Sequence, residues 1–152
     1  MKFTVISTLT ALATAAPSAE PRTVFSQYFG NVVAQTEAFN PNNLTFSFTL
    51  TYTDGTNYRC STYHDLNTDI SANTTCNGTF GQASDVTATV GFPSGEASIQ
   101  DWAPYAYNPY VNKTYTASIS TENPIYTCGH SGTPGVPAKC FNEYGYFLAT
   151  SI

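Results

Sequence analysis

The sequence predicts an all-β fold, a compact antiparallel β-barrel or sandwich held by two disulfides. Three observations predict it. Large apolar and hydroxyl residues alternate strictly through Asn43 to Cys60, NLTFSFTLTYTDGTNYRC. Shorter alternating segments recur downstream between Gly, Pro and Asn turn residues, with no amphipathic helix and no internal repeat. Four cysteines, an even set, are spread over the same region.

In chain order, MKFTVISTLTALATAAPSAEPR reads as a targeting segment. Lys2 supplies the positive start, Phe3 to Leu12 carry no charge, and Ala13-Thr14-Ala15 is a small-x-small cleavage site. The apolar part is too short for a bilayer core of about 30 Å. Residues 1–15 are thus expected to be a signal peptide and 16–22, ending Pro21-Arg22, a pro-segment. Residues 23–152 form one domain, and the expected destination is extracellular.

Thr23 to Ala34, TVFSQYFGNVVA, is rich in β-branched and aromatic residues, although its spacing fits neither period cleanly. Asn40-Pro41-Asn42-Asn43 closes it as a turn. Leu44, Phe46, Phe48, Leu50 and Tyr52 then share one strand face, with threonines and Ser47 on the other. Asp54-Gly55 signals a hairpin. A two-residue turn would put Tyr58 on the hydroxyl face. A three-residue loop, Thr53 to Gly55 with Gly55 left-handed, pairs Leu50 with Tyr58 and Phe48 with Cys60. Because a one-residue slip reverses the faces, the three-residue loop is the register expected.

The polar stretch from Ser61 to Cys76 is expected to be a short strand and a loop. Val86 to Phe92 alternates again, Pro93-Ser94-Gly95 turns the chain, and Ala97, Ile99 and Trp102 continue as a partner strand. Asp101 to Tyr110, DWAPYAYNPY, holds two prolines and four aromatics and is expected to be an irregular aromatic loop. Tyr115, Ala117 and Ile119 restore a period of two, and Ile125 to Cys128 opens another strand. Gly129 to Pro137 is a Gly/Pro loop, after which Tyr144, Tyr146 and Leu148 alternate.

Composition removes several functions. The formal charge is -5, and losing Lys2 with the signal makes it -6. Without a basic cluster, an acidic chain is a poor partner for nucleic acid or an anionic membrane. The cysteines fall into two near pairs, so Cys60–Cys76 and Cys128–Cys140 are the expected bridges, each worth roughly 3 kcal/mol as a loop closure. A four-thiolate zinc site would want C-x-x-C spacing, which is missing, so no metal or cofactor is expected. Four sequons, at Asn43, Asn73, Asn77 and Asn112, are candidate N-glycosylation sites, Asn43 the least favoured because it opens a strand.

Catalytic patterns are sparse. His64-Asp65 and His130-Ser131 place potential partners on opposite strand faces, so both histidines read as surface loop residues. Asp69, Asp85, Glu96, Asp101 and Glu143 could supply an acid pair for sugar cleavage, but each sits among turn or edge residues. The strongest binding candidate is the aromatic loop, with Trp102, Tyr105, Tyr107 and Tyr110 next to Asp101 and Asn108 as a sugar- or flavonoid-stacking surface. The competing reading has these rings covering one end of the barrel.

The chain resembles the Alternaria major-allergen family of small secreted fungal proteins from about Val24 to its C-terminus. The likeness rests on Asn43-Leu44-x-Phe46 leading into the hairpin that ends at Cys60, and on Cys76 after 15 intervening residues. It rests also on Tyr115-Thr116-Ala117-Ser118, on Cys128 and Cys140 with 11 between, and on the Tyr/Leu-containing terminal strand. The resemblance implies a β-barrel with sequential disulfides and no established catalysis. It also implies an allergen or elicitor acting on plant defence by binding a plant thaumatin-like defence protein or a flavonoid-type molecule. The extra N-terminal cysteine that tethers the allergen dimer is missing here, so a monomer or non-covalent dimer is expected. The alternative function is a carbohydrate-binding or carbohydrate-cleaving module using residues 101–110.

Overall fold

The computed structural model describes residues 27–37, 40, 42–130 and 138–152. The expected signal and pro-segments, and most of the 129–137 loop, lie outside the described residues. The fold is all-β. Strands β1 (Gln27–Thr36), β2 (Asn43–Tyr52), β3 (Asn57–Asp65), β4 (Ile70–Ser71) and β5 (Thr74–Asn77) precede one turn of 3-10 helix at Thr79–Gly81. Next come β6 (Ala83–Gly91), β7 (Asp101–Asn108), β8 (Lys113–Thr116) and β9 (Ile119–Ser120). Then β10 (Tyr126–Gly129), β11 (Lys139–Asn142), β12 (Phe147–Leu148) and β13 (Thr150–Ser151) follow. The antiparallel sheet runs in the order β10-β11-β1-β2-β3-β5-β6-β7-β8-β13 and curls around one core.

The β2–β3 hairpin has the expected register. Leu50 faces Tyr58 and Phe48 faces Cys60. The Tyr52 N–H donates to the Thr56 carbonyl, closing a three-residue loop in which Gly55 has φ 87°. That left-handed conformation costs glycine little. Leu44, Phe46, Phe48 and Leu50 are buried and Tyr52 is half-buried. Thr49 departs from the alternation, being buried although it belongs to the hydroxyl face. Asn31 leans over it and donates from Nδ2 to the Thr49 hydroxyl at 3.4 Å.

Asn31 also explains the ambiguous spacing of the first strand. β1 carries a bulge between Gly30 and Val33, with Asn31 at φ 49°. The extra residue puts Phe29, Val32 and Ala34 on the inner face, a three-then-two spacing that neither period describes.

The 101–110 segment corrects the sequence reading. It is not an irregular loop: β7 pairs with β6 from Gly91↔Ala103 to Thr87↔Tyr107, and residues 93–100 make the turn expected to be shorter. On its other edge β7 pairs with β9 at Asp101 and Trp102, then with β8 from Tyr105 onward. Pro104 falls in the gap between those two ladders, where a residue without an N–H is tolerated. Pro109 lies beyond the strand end. Trp102, Pro104, Ala106 and Asn108 face inward, so the prolines hid an ordinary period of two.

In the C-terminal segment Tyr144, Tyr146 and Leu148 are all exposed, and Phe147, between the last two, is the buried residue. A turn precedes β12, with Gly145 at φ 77° and its carbonyl accepting from Asn142 Nδ2, and delivers Phe147 opposite the buried Phe29. β12 then pairs with β1, and β13 with β8, stitching the two sides of the curled sheet together. Both disulfides have the expected connectivity, Cys60–Cys76 and Cys128–Cys140; the second joins directly opposed residues of β10 and β11.

At the centre, the Trp102 indole packs against Phe46 at a centroid distance of 4.7 Å. Its N–H donates to the Tyr126 hydroxyl at 2.9 Å, which in turn donates to the Ile99 carbonyl at 2.6 Å. Phe48→Ala, at a side chain 2% exposed, is expected to cost about 3–5 kcal/mol in urea unfolding. Tyr126→Phe should cost about 1–3 kcal/mol, because it leaves the indole N–H without its acceptor and the Ile99 carbonyl without its donor. Losses below 0.5 kcal/mol or so at both positions would contradict this core.

Candidate functional site

Two hairpin ends meet on one side of the sheet. Tyr52 closes β2, Tyr58 opens the return on β3, and Asp54 and Thr56 belong to the loop between them. Asn108 ends β7, and Tyr110 and Val111 lie in the following connection to β8. These seven residues line a cleft of about 170 Å³.

Asn108 holds the cleft together. Only 3% exposed, it donates from Nδ2 to the Tyr52 hydroxyl at 2.7 Å and accepts the Tyr110 N–H on Oδ1 at 3.0 Å. Tyr52 is packed edge-on against Tyr58 and Tyr115, with centroids 6.0 and 5.5 Å away. Tyr110 donates its hydroxyl to Asp85 Oδ2 at 3.1 Å, which fixes an otherwise exposed ring at the cleft mouth. Burial pushes the Tyr52 hydroxyl well above the usual tyrosine range, and burial raises Tyr58 in the same direction. The Thr56 N–H, bound to Asp54 Oδ1 at 2.9 Å, holds that carboxyl below its usual value. The cleft thus presents neutral phenols and ring faces beside an ionised carboxylate.

Such a lining suits a flat, uncharged ring carrying hydroxyls. Ring faces supply apolar area, phenols and the Asn108 amide supply directional hydrogen bonds, and Asp54 and Asp85 repel anions. The volume is below the roughly 300 Å³ at which drug-sized ligands are enclosed. One ring fits, as the end of a longer molecule. A larger depression, about 480 Å³, opens elsewhere among Glu96, Asp101, Glu122 and several serines, but no aromatic side chain lines it.

The five residues expected to form one aromatic surface are dispersed by the strand. Asp101 lines the polar depression. Trp102 is in the core and unavailable to a ligand. Tyr105 is half-buried over Gly91, so close that a Cβ there would lie 2.8 Å from its ring. Tyr107 is exposed on the outer face, and Tyr110 alone reaches the cleft. Asn108, expected as a polar neighbour of that surface, does line the cleft, whereas Tyr52 and Tyr58 were not foreseen as site residues; the available signal was aromatics placed at a hairpin end.

His64 also corrects the sequence reading. It is not a surface loop residue but lies on β3, 2% exposed, with its ring edge-on to Phe92. Its Nδ1 is 3.0 Å from the Ser71 hydroxyl, and Nε2 lies 3.3 Å from Asp69 Oδ1 without hydrogen-bond geometry. Asp69 is 90% exposed on the turn leading to β4, so these contacts tie a short edge hairpin to β3. His130 is exposed, as expected. Among the described residues no group of three or more His, Cys, Asp or Glu could hold a metal, and no helix is long and apolar enough to cross a membrane.

Compared with protein-family models, curated proteins and solved structures, the chain matches none.

Tyrosine ionisation tests the packing of the cleft and core. Burial raises both Tyr52 and Tyr126, so the folded chain keeps protons that the unfolded chain releases above about pH 10. The stabilisation is complete below that pH and is lost as pH rises through the folded values. Phenolate absorbance during alkaline titration should therefore show a late, cooperative phase coincident with unfolding, smaller in Tyr52→Phe. Complete ionisation before any loss of structure would contradict the packing described.

Proposed function

We propose that this chain is a secreted, non-catalytic binding protein whose Tyr52–Tyr58–Tyr110 cleft receives one flat, neutral, hydroxyl-bearing ring, as at the end of a flavonoid-type molecule. The observation that carries the reading is the convergence of three tyrosine rings around a buried asparagine that bonds the Tyr52 hydroxyl and the Tyr110 backbone. Secretion is supported by the signal-like first fifteen residues and by two intrachain disulfides, which persist in oxidising compartments. The cysteine frame that resembles the Alternaria major-allergen family supports an effector or allergen role directed at plant defence, with a host protein as a further partner.

The second reading is a carbohydrate module. A pyranose also offers an apolar face and a rim of hydroxyls, and the same tyrosines with Asn108 and Asp54 would suit it. Ligand chemistry separates the two. Titration calorimetry of the intact protein against flavonoid aglycones and against neutral oligosaccharides should give binding with the former and little with the latter. Tyr110→Ala, which removes an exposed ring from the mouth, should weaken that binding about three- to tenfold, the worth of one aromatic contact. Oligosaccharide binding alone would favour the second reading, and cleavage of a polysaccharide by purified protein would overturn the non-catalytic one. Trp102→Ala would be uninformative, since it empties the core.

A further inference from the structure

We propose that Asn112 carries an N-glycan whose first N-acetylglucosamine stacks on the ring of Tyr107, and that this contact stabilises the β7–β8 hairpin. The inference is independent of what the cleft binds. Asn112-Lys113-Thr114 is a sequon, and Asn112 is exposed in the connection 109–112 with φ 51°. Tyr107 lies on the outer face of β7, 40% exposed and directly opposite Thr114 of β8. The aromatic residue and both specifying residues of the sequon therefore share one end of one hairpin.

Tyr107 is already turned toward the acceptor. Its hydroxyl donates to Asn112 Oδ1 at 3.0 Å. That bond uses the amide oxygen, which glycosylation leaves intact, and keeps Nδ2 available for the sugar. In the transfer, Nδ2 forms a bond to C1 of N-acetylglucosamine and loses one proton. The C1–O bond to the pyrophosphate of a lipid-linked oligosaccharide breaks, and the diphosphate leaves with the electron pair. The sugar is then attached beside the exposed ring, where the C–H groups of one pyranose face meet its electron-rich face. The other sequons differ. Asn43 is half-buried and paired opposite Asp65. Asn73 and Asn77 are exposed, but among the described residues no aromatic side chain is bonded to either amide.

The test uses the full chain secreted from a eukaryotic host, with Asn43, Asn73 and Asn77 replaced by Gln so that one sequon remains. Glycopeptide mass spectrometry should find Asn112 occupied. Trimming with an endoglycosidase that leaves one N-acetylglucosamine should keep a melting temperature about 2–4 °C above that after complete removal by an amidase. Tyr107→Ala should abolish the difference and Tyr107→Phe should retain most of it. If the triple variant folds poorly, the unaltered chain serves, since ring-current upfield shifts of the sugar C–H protons should be present and disappear in Tyr107→Ala. An unoccupied Asn112, an unchanged melting difference in Tyr107→Ala, or sugar protons without ring-current shifts would overturn the proposal.

Discussion

A buried indole N–H has to find an acceptor, and here that requirement joins distant parts of the chain. Trp102 is fully enclosed, and its N–H is met only because Tyr126, at the start of β10, brings a hydroxyl to it. Tyr126 passes the hydrogen bond to the carbonyl of Ile99, just before β7. The phenol thus satisfies two buried polar groups at once, and each would cost on the order of a kcal/mol or more if left alone. Phe46 and Phe48 of β2 pack on the same indole, so the early hairpin, the middle strand and the late strand share one point of contact.

With that centre in place, the strand that carries Trp102 serves different purposes on its two faces. Its inner face ends in Asn108, whose amide orders Tyr52 and the Tyr110 backbone at the cleft. Its outer face presents Tyr107 to Asn112. Alternation along a strand separates the two faces by a single residue, so the proposed binding cleft and the proposed glycan site sit side by side without sharing a side chain. The cleft is built on hairpin ends supported by a packed sheet, an arrangement that keeps its lining residues ordered while leaving them reachable.

Residues whose polarity suggested surface show how burial is negotiated. His64 enters the interior because Ser71 answers one ring nitrogen and Phe92 covers the ring. Thr49 enters because the β1 bulge swings Asn31 across it. In both cases a partner from a neighbouring strand meets a polar atom, which eases its burial, although Nε2 of His64 has only the ion-pair distance to Asp69 and no hydrogen bond.

The sequence by itself determined the all-β class, the β2–β3 register, the left-handed Gly55 and the disulfide pairing. Those features are local: a period of two, a turn of known length and cysteines twelve and sixteen residues apart leave few alternatives. Only the tertiary structure decided that Asp101–Asn108 is a strand, because Pro104 is acceptable only where two neighbouring ladders both stop. It alone decided that Phe147, and not Tyr146 or Leu148, turns inward, since β12 meets β1 with Phe147 opposite the buried Phe29. Of the site, Tyr110 was legible as an exposed aromatic and Asn108 as its polar neighbour; Tyr52 and Tyr58 were not legible as site residues. Their meeting with Asn108 depends on two hairpins more than fifty residues apart in sequence being brought to one end of the sheet, as the Asn108–Tyr52 bond records with its separation of 56. No local pattern encodes that proximity, because it follows from how the whole sheet curls.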